Sequence, residues 1–188
     1  MQATPKYAPR WPFDATRVAD FLDLGVVWDR IPADEKGAIA AMILPTEREI
    51  IINQDVPGLR GGYGESTLAH EIGHWELHIN HQAVGRVIER QTGKLEESFQ
   101  PFLCRNTSGV LEKMEWQAQY FASCLLMPRS ILTEKRKGRD LTNYKHLQAM
   151  ASELGVTVAN LKHRLKAIGW IYIEPGSQRI YSGDKHAY

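Results

Sequence analysis

The chain has 188 residues, of which 43% are hydrophobic and 24% are charged, and its formal net charge is +1 at pH 7. This composition is typical of a folded globular protein and excludes a largely disordered chain. The small net charge argues against a strongly basic surface that wraps nucleic acid, although it leaves room for a local basic patch. A chain of this length can bury the core of one domain, with at most a small appendage, without disulfide bonds.

Two features of the sequence bear on its compartment. Residues 1–10 contain no apolar core of the kind that a secretory signal carries, and no run of about 18 apolar residues occurs in the chain. Cys104 lies in a loop-like stretch and Cys124 in an apolar helical pattern, so they form no closely spaced pair and are most simply reduced thiols. We therefore expect a cytoplasmic protein that has no membrane partner.

The first third of the chain predicts one helix and a small sheet. Residues 1–13 are rich in proline and are expected to lie extended. Asp14 can cap a helix whose apolar spacing continues until Gly25. Strands are predicted at residues 26–28, 38–44 and 49–53, and the last two are predicted to form a hairpin.

A pair of histidines with a four-residue spacing marks the centre of the sequence. The pattern His-Glu-Ile-Gly-His at residues 70–74 falls in a predicted helix from about residue 65 to residue 80. His70 and His74 then project from one face of the helix, one turn apart, where both imidazoles can bind a single metal ion. Glu71 lies about 100° around the helix, which suits a general base acting on a water molecule at the metal. The alternative is a polar helix face that matches the pattern by accident.

The strand at residues 49–53 lies shortly before this helix and has two interpretations. If the strand is at the edge of its sheet, it can bind an extended peptide substrate as an added strand. If it is internal, Ile50, Ile51 and Ile52 are ordinary buried sheet residues. Both interpretations remain open in the sequence.

A catalytic zinc ion usually takes three protein ligands, so the sequence must supply one more. His78 continues the four-residue series, but it lies about 12 Å along the helix from His70, and we favour a supporting or structural role for it. His81 is one residue out of register with the extended histidine motif. A third histidine ligand from this segment is therefore not favoured.

The other source of a third ligand is a carboxylate on a second helix. The downstream candidates are Glu112, Glu115 and Glu134. Glu115 is the best placed, because an apolar stripe that includes the small residues Ala118 and Ala122 would pack its helix closely against the histidine helix. Gln119, four residues further on, could hydrogen-bond a ligand. The alternative, a solvated acid in the first turn of a helix, remains open.

The rest of the chain is predicted to be mainly helical. The helix that carries Glu115 is expected to begin near Leu111 and to end before Pro128. Further helices are predicted at residues 83–90, 129–137, 147–154 and 158–167, with a loop at 93–109 and a tight turn at Gly155. Strands at residues 171–173 and 179–181 are expected to close the chain as a hairpin. We expect an extended segment at 1–13, a main domain at 14–137, and the helices and hairpin of 138–188 packed on it.

These motifs together resemble a known family. Residues 67–78, the Glu-x-x-Ala-x-x-Phe-Ala pattern that begins at Glu115, and the Leu-Leu-Met-Pro of residues 125–128 resemble the ImmA/IrrE-type metallopeptidases. The resemblance extends over about residues 14–171 and implies an α+β fold with a zincin-like core, in which a small sheet packs on the metal-binding helix. It also implies that Glu115 is the third metal ligand. Gln119 departs from the family pattern, which has Asn at this position.

The resemblance implies a zinc-dependent, site-specific endopeptidase whose substrate is a transcriptional repressor of the helix-turn-helix type, and whose action induces genes of a mobile element or a stress response. The metal ligands would be His70, His74 and Glu115, with Glu71 as the base. Manganese or iron could replace zinc in the same donor set. For the oxyanion, the available donors by type are Tyr63, Tyr120 and His163, and the spacing does not choose among them.

Two rival functions remain. The C-terminal region from about residue 144 to 167 resembles a helix-turn-helix, and its second helix carries the basic residues Lys162, His163, Arg164 and Lys166. With the following hairpin as a wing, it could be a DNA-binding regulator. Some relatives are toxin or antitoxin partners, so a metal-binding component without peptidase activity is the other alternative. We expect a solvated basic face on this helix rather than a DNA contact.

Overall fold

The computed structural model describes residues 9–35, 37–59, 61–91, 102–103 and 110–183. The chain divides into two compact units, of which the first covers Ala15–Leu125 and the second combines the described residues before Ala15 with those from Leu126 onwards. Cys104 and most of the loop predicted at residues 93–109 lie outside the described residues. No helix within the described ranges combines the length and the apolar character that crossing a membrane requires.

The sheet of the first unit has four strands. They are β1 (Gly25–Asp29), β2 (Ala41–Leu44), β3 (Glu49–Asn53) and β4 (Phe102–Leu103), in the spatial order β1-β3-β2-β4. β2 and β3 are antiparallel, with Met42 opposite Ile51, so the predicted hairpin is confirmed, although its first strand begins at Ala41. β1 runs parallel to β3. β4 lies inside the segment predicted to be a loop and pairs with β2, so that part of the loop prediction is wrong.

β3 is an internal strand. β1 pairs with one side of it and β2 with the other. The side chains of Ile50 and Ile52 are completely or almost completely buried. The interpretation of this strand as an edge for an added peptide is therefore wrong, and the buried-strand interpretation is confirmed.

The helices of the first unit are α1 (Thr16–Phe21), α2 (Gly62–His78), α3 (His81–Gln91) and α4 (Val110–Leu126). The N-cap of α1 is Ala15 rather than the predicted Asp14, and the backbone N–H of Ala15 donates to the carboxylate of Glu65 at 2.9 Å. α2 begins at Gly62 because Gly61, with a φ of 79°, lets the chain turn into the helix. α4 ends two residues before Pro128, as predicted.

α2 packs on the sheet through β2 and β3. Its buried apolar residues are Leu68, Ala69, Ile72 and Trp75. The same helix therefore anchors the sheet with one set of side chains and presents its histidines with another. This arrangement makes α2 the structural centre of the first unit.

The second unit contains α5 (Arg129–Lys135), α6 (Tyr144–Leu154), α7 (Val158–Ala167), β5 (Ile171–Ile173) and β6 (Ile180–Ser182). β5 and β6 form the predicted antiparallel hairpin, with Tyr172 opposite Tyr181. α6 ends at Gly155, whose φ of 69° makes the tight turn before α7. The Thr157 side chain caps α7 by accepting a hydrogen bond from the N–H of Asn160. The two helices and the turn thus match the predicted elements, with α6 beginning at Tyr144.

Candidate metal centre

α2 brings two imidazoles together in the interior of the first unit. His70 and His74 lie one helical turn apart, and their Nε2 atoms are 3.0 Å from each other. His74 is completely buried and His70 almost so. Two ring nitrogens aimed at one point are suited to holding a cation.

α4 places one carboxylate against both histidines. The Oε2 atom of Glu115 is 3.1 Å from Nε2 of His70, and its Oε1 atom is 3.2 Å from Nε2 of His74. The three side chains offer ligand atoms that all lie within 4.8 Å of one another. Glu112 and Glu134, the other candidate carboxylates, are exposed and do not belong to this cluster.

The spacing of the three ligand atoms fits a small divalent ion. An ion bound tetrahedrally at about 2.0–2.1 Å from nitrogen and oxygen ligands separates those ligands by about 3.3 Å. The three closest separations in the cluster are 3.0, 3.1 and 3.2 Å. Small outward movements of the side chains would therefore be enough to admit an ion.

A close approach of α4 to α2 makes this geometry possible. A Cβ atom on Gly73 would lie 3.0 Å from the carbonyl oxygen of Ala118 and 3.1 Å from a ring carbon of Phe121. Ala118 and Ala122 are buried, as the predicted apolar stripe requires. Sequence reasoning identified the small residues on α4 but not the matching glycine on α2, although Gly73 lies inside the histidine motif.

Glu71, the predicted base, lies on α2 directly after His70 and is completely buried. Tyr63 and Tyr120, two of the predicted oxyanion donors, are about half exposed, and Tyr120 stacks on Trp116 with ring centroids 5.3 Å apart. The third, His163, is an exposed residue of the second unit. These positions do not choose among the three.

The side chains of His78 and Gln117 extend the chain of contacts that begins at His74. Nδ1 of His78 is 2.9 Å from Nδ1 of His74, on the side of the ring away from Glu115, and Nε2 of His78 is 3.1 Å from Oε1 of Gln117. His78 therefore lies behind His74 and outside the three-residue cluster. Gln119, expected to contact a ligand, is exposed, and the amide that reaches the histidines is that of Gln117. The Gln117 contact was missed because no spacing rule along α4 indicates it.

His81 has a separate role in the first unit. Its ring stacks on Trp75 with the centroids 4.8 Å apart, and its Nε2 is 2.7 Å from the Trp75 carbonyl oxygen. It fixes the end of α2 and does not join the cluster, in agreement with its register in the sequence.

The local electrostatics favour the metal-binding forms of the ligands. Burial, with smaller contributions from the neighbouring His70 and His78, lowers the pKa of His74 despite the opposing effect of Glu115. The lowered pKa keeps the His74 ring neutral at pH 7. Burial alone would raise the pKa of Glu115, but the hydrogen bonds with His70 and His74 outweigh it and lower that pKa to about 2. A neutral imidazole and an ionised carboxylate are the forms that bind a metal ion.

The arrangement is a buried cluster of two histidines and one carboxylate, of the kind that is able to hold a metal ion, on a mixed α+β fold. A family model described as the IrrE N-terminal-like domain, of the M78 peptidases, matches residues 104–166. The match includes the whole of α4 with Glu115 and confirms the resemblance to the ImmA/IrrE-type metallopeptidases. It does not include the histidine motif on α2. A search of curated proteins gives no match.

Proposed function

We propose that the protein is a zinc-dependent endopeptidase that cleaves a repressor of the helix-turn-helix type. The observation that carries the proposal is the buried cluster of His70, His74 and Glu115, whose donor set is that of catalytic zinc sites with two histidines and one glutamate. The family match adds support for a peptidase and hence for a protein substrate. The choice of a repressor, with the induction of mobile-element or stress-response genes, rests on the resemblance to the family.

His70, His74 and Glu115 would hold the metal, which when bound supplies a Lewis acid for the scissile carbonyl and lowers the pKa of water. Glu71 follows His70 on the same helix, and its carboxylate takes the proton of the attacking water. The same carboxyl group then delivers the proton to the leaving amine, so that the base is regenerated after each cleavage. The burial of Glu71 excludes bulk water from this proton transfer.

The metal content of purified variants tests the ligand set. We expect about one zinc per chain in the wild type and a loss of zinc in His70→Ala and Glu115→Ala. Glu112→Gln is the matched control, because Glu112 is an exposed glutamate on the same helix as Glu115, and it should keep its metal. Retention of zinc by Glu115→Ala would remove Glu115 from the site.

Cleavage tests the role of Glu71. Wild type and Glu71→Gln, both loaded with zinc, are incubated with the helix-turn-helix repressor encoded nearest to the gene, and the products are followed by gel and mass spectrometry. We expect the variant to keep its zinc and to cleave about 10²–10⁴-fold more slowly, the usual contribution of a general base. Cleavage by the variant at the wild-type rate would contradict the assignment. A metal-binding toxin or antitoxin component would hold zinc and show no cleavage by either protein.

The DNA-binding alternative finds less support in α7. Arg164, one of its four basic residues, is buried, and its Nε donates to the carbonyl oxygen of Met127 at 3.2 Å. This arginine stabilises the second unit and is not presented to a phosphate backbone. A gel shift on DNA at low salt, lost as salt rises, would favour the alternative.

A further inference from the structure

The row of α2 residues that includes the two histidines continues towards the beginning of the helix. At about 100° per residue, Tyr63 lies within about 20° of both His70 and His74 around the helix axis. Thr67 lies between Tyr63 and the histidines, and its hydroxyl donates to the carbonyl oxygen of Tyr63 at 3.0 Å. Tyr63 is 45% exposed, whereas both histidines are buried. The row therefore runs from the buried cluster to an exposed aromatic side chain.

A second exposed aromatic side chain reaches the same end of α2. Trp28 lies on β1, which is an edge strand of the sheet in the described part of the chain. Trp28 is 47% exposed, and its Cη2 atom lies 3.5 Å from the position of a Cβ atom on Gly64, the residue after Tyr63. A strand and a helix thus each place a partly exposed aromatic residue at the first turn of α2.

The distance between these aromatic residues and the cluster suits an extended peptide. Tyr63 precedes His70 by seven residues, which corresponds to about 10 Å along the helix axis. An extended peptide advances about 3.3 Å per residue. A peptide that lies along α2 with its scissile bond at the cluster would therefore place a side chain about three residues from that bond over Tyr63.

We propose that Tyr63 and Trp28 form a substrate subsite that takes a large apolar side chain about three residues from the scissile bond. The inference rests on the proposed function and deepens it by naming a residue preference of the substrate. The occupant is the substrate polypeptide, because the row that begins at Tyr63 is continuous with the cluster at which the bond is cut. An apolar side chain matches the subsite because it covers aromatic surface that is otherwise in contact with water.

Kinetics on a matched set of variants test the subsite. The probe is a synthetic peptide that spans the site at which the wild type cuts the helix-turn-helix repressor encoded nearest to the gene. The variants are Tyr63→Ala, Trp28→Ala and Tyr63→Phe, with Tyr144→Ala as the matched control because Tyr144 is an exposed tyrosine at the start of another helix. The first readout is KM and kcat of the zinc-loaded proteins. The second is the Kd of the fluorescein-labelled peptide for the metal-free proteins, measured by fluorescence anisotropy.

We expect Tyr63→Ala and Trp28→Ala to raise KM and Kd by about 5- to 30-fold, as for an important contact residue, with kcat unchanged. Tyr63→Phe keeps the ring and should match the wild type, as should Tyr144→Ala. Replacing the large apolar residue of the peptide with alanine should weaken its binding to the wild type by a similar factor. The same replacement should have little further effect on Tyr63→Ala, because both changes remove one contact.

The subsite is overturned if Tyr63→Ala matches Tyr144→Ala in KM and Kd, or if the effects of Tyr63→Ala and of the change in the peptide add independently. A fall in kcat for Tyr63→Phe would assign the hydroxyl to the reaction and would also overturn it. Trp28 contacts Gly64, so if Trp28→Ala does not fold, the result for Tyr63→Ala decides.

These outcomes are distinct from a failure of the proposed function. A wild type that binds no zinc, or that does not cut the repressor, refutes the endopeptidase proposal and the subsite with it. A wild type that cuts the repressor and is indifferent to the loss of the Tyr63 ring refutes the subsite alone.

Discussion

Replacing Gly73 with alanine tests whether the close packing of two helices builds the metal centre. The added Cβ would lie 3.0 Å from the carbonyl oxygen of Ala118, 3.1 Å from its Cα and 3.1 Å from Cδ1 of Phe121. Nonbonded carbon atoms ordinarily lie about 3.5–4.0 Å apart, so α4 would have to retreat by about 0.4 Å or more. Because α4 carries Glu115, the retreat would also move this carboxylate away from the histidines.

The expected change in stability follows from two opposing contributions. Overpacking a close contact costs about 1–3 kcal/mol. Alanine in place of glycine in a helix stabilises by about 1 kcal/mol. The net effect of Gly73→Ala is then a loss of about 0–2 kcal/mol in the free energy of unfolding.

Gly85→Ala is the matched control, because Gly85 lies within α3 and nothing lies within 4 Å of its Cβ position. This variant gains the helix propensity without the overpacking, so it should stabilise by about 1 kcal/mol. The difference between the two variants isolates the packing contribution, about 1–3 kcal/mol. Urea unfolding followed by circular dichroism measures it, and chelator competition should show weaker zinc binding in Gly73→Ala only. If the two substitutions stabilise equally, the close packing of α2 on α4 does not constrain the site.

Two further predictions concern other parts of the structure. The carboxylate of Glu153 pairs with Arg139 and Lys135, and hydrogen bonds from these residues lower its pKa. Its contribution to stability is therefore present above the ordinary glutamate pKa of about 4.3 and is lost as the pH falls below it. Glu153→Gln should lower the melting temperature at pH 7 by the equivalent of less than about 1 kcal/mol, because the three side chains are partly exposed and solvent screens their charges. The deficit should vanish towards pH 3, and a constant deficit would contradict the assignment. Gly64→Ala would bring a Cβ into collision with the backbone carbonyl of Leu59. Overpacking usually costs about 1–3 kcal/mol, and the loss in the free energy of unfolding, measured by urea unfolding, should reach or exceed the upper end of this range. An unchanged urea midpoint would refute this contact.

Much of the fold could be predicted because its signals are local. Pro128 cannot continue a helix, and Gly155 allows the left-handed turn between α6 and α7, so the ends of these elements are readable from single residues. The position of β3 in the sheet could not be predicted, because it depends on the parallel pairing of β1 across the sheet. β4 could not be predicted either, since two residues carry no pattern. The Asp14 cap was wrong because the first turn of α1 is anchored by Glu65, which is distant in sequence.

The candidate site likewise contains residues that could be predicted from local sequence and residues that could not. His70 and His74 are connected by the period of one helix, and any reader of the sequence can pair them. Choosing Glu115 as the third member of the cluster required an assumption about how a second helix packs against α2. The apolar stripe on α4 supported this packing but did not determine it. Gln117 lay beyond such reasoning, because spacing along α4 favours Gln119. Its contact with His78 depends on the mutual position of two helices, which no single-helix pattern contains.

The charges of the cluster bear on the proposal that it holds a cation. Glu115 is ionised at pH 7 because its pKa is about 2, and it lies against His74, whose pKa is lowered mainly by burial. Glu71 places a second, completely buried carboxyl group on α2, directly after His70. Burying carboxylates is costly unless their charge is balanced. A divalent ion held by neutral histidines would balance the carboxylate of Glu115, whereas protonated histidines would balance it only by giving up the lone pairs that a metal needs. The lowered pKa of His74 is in keeping with the metal site proposed above.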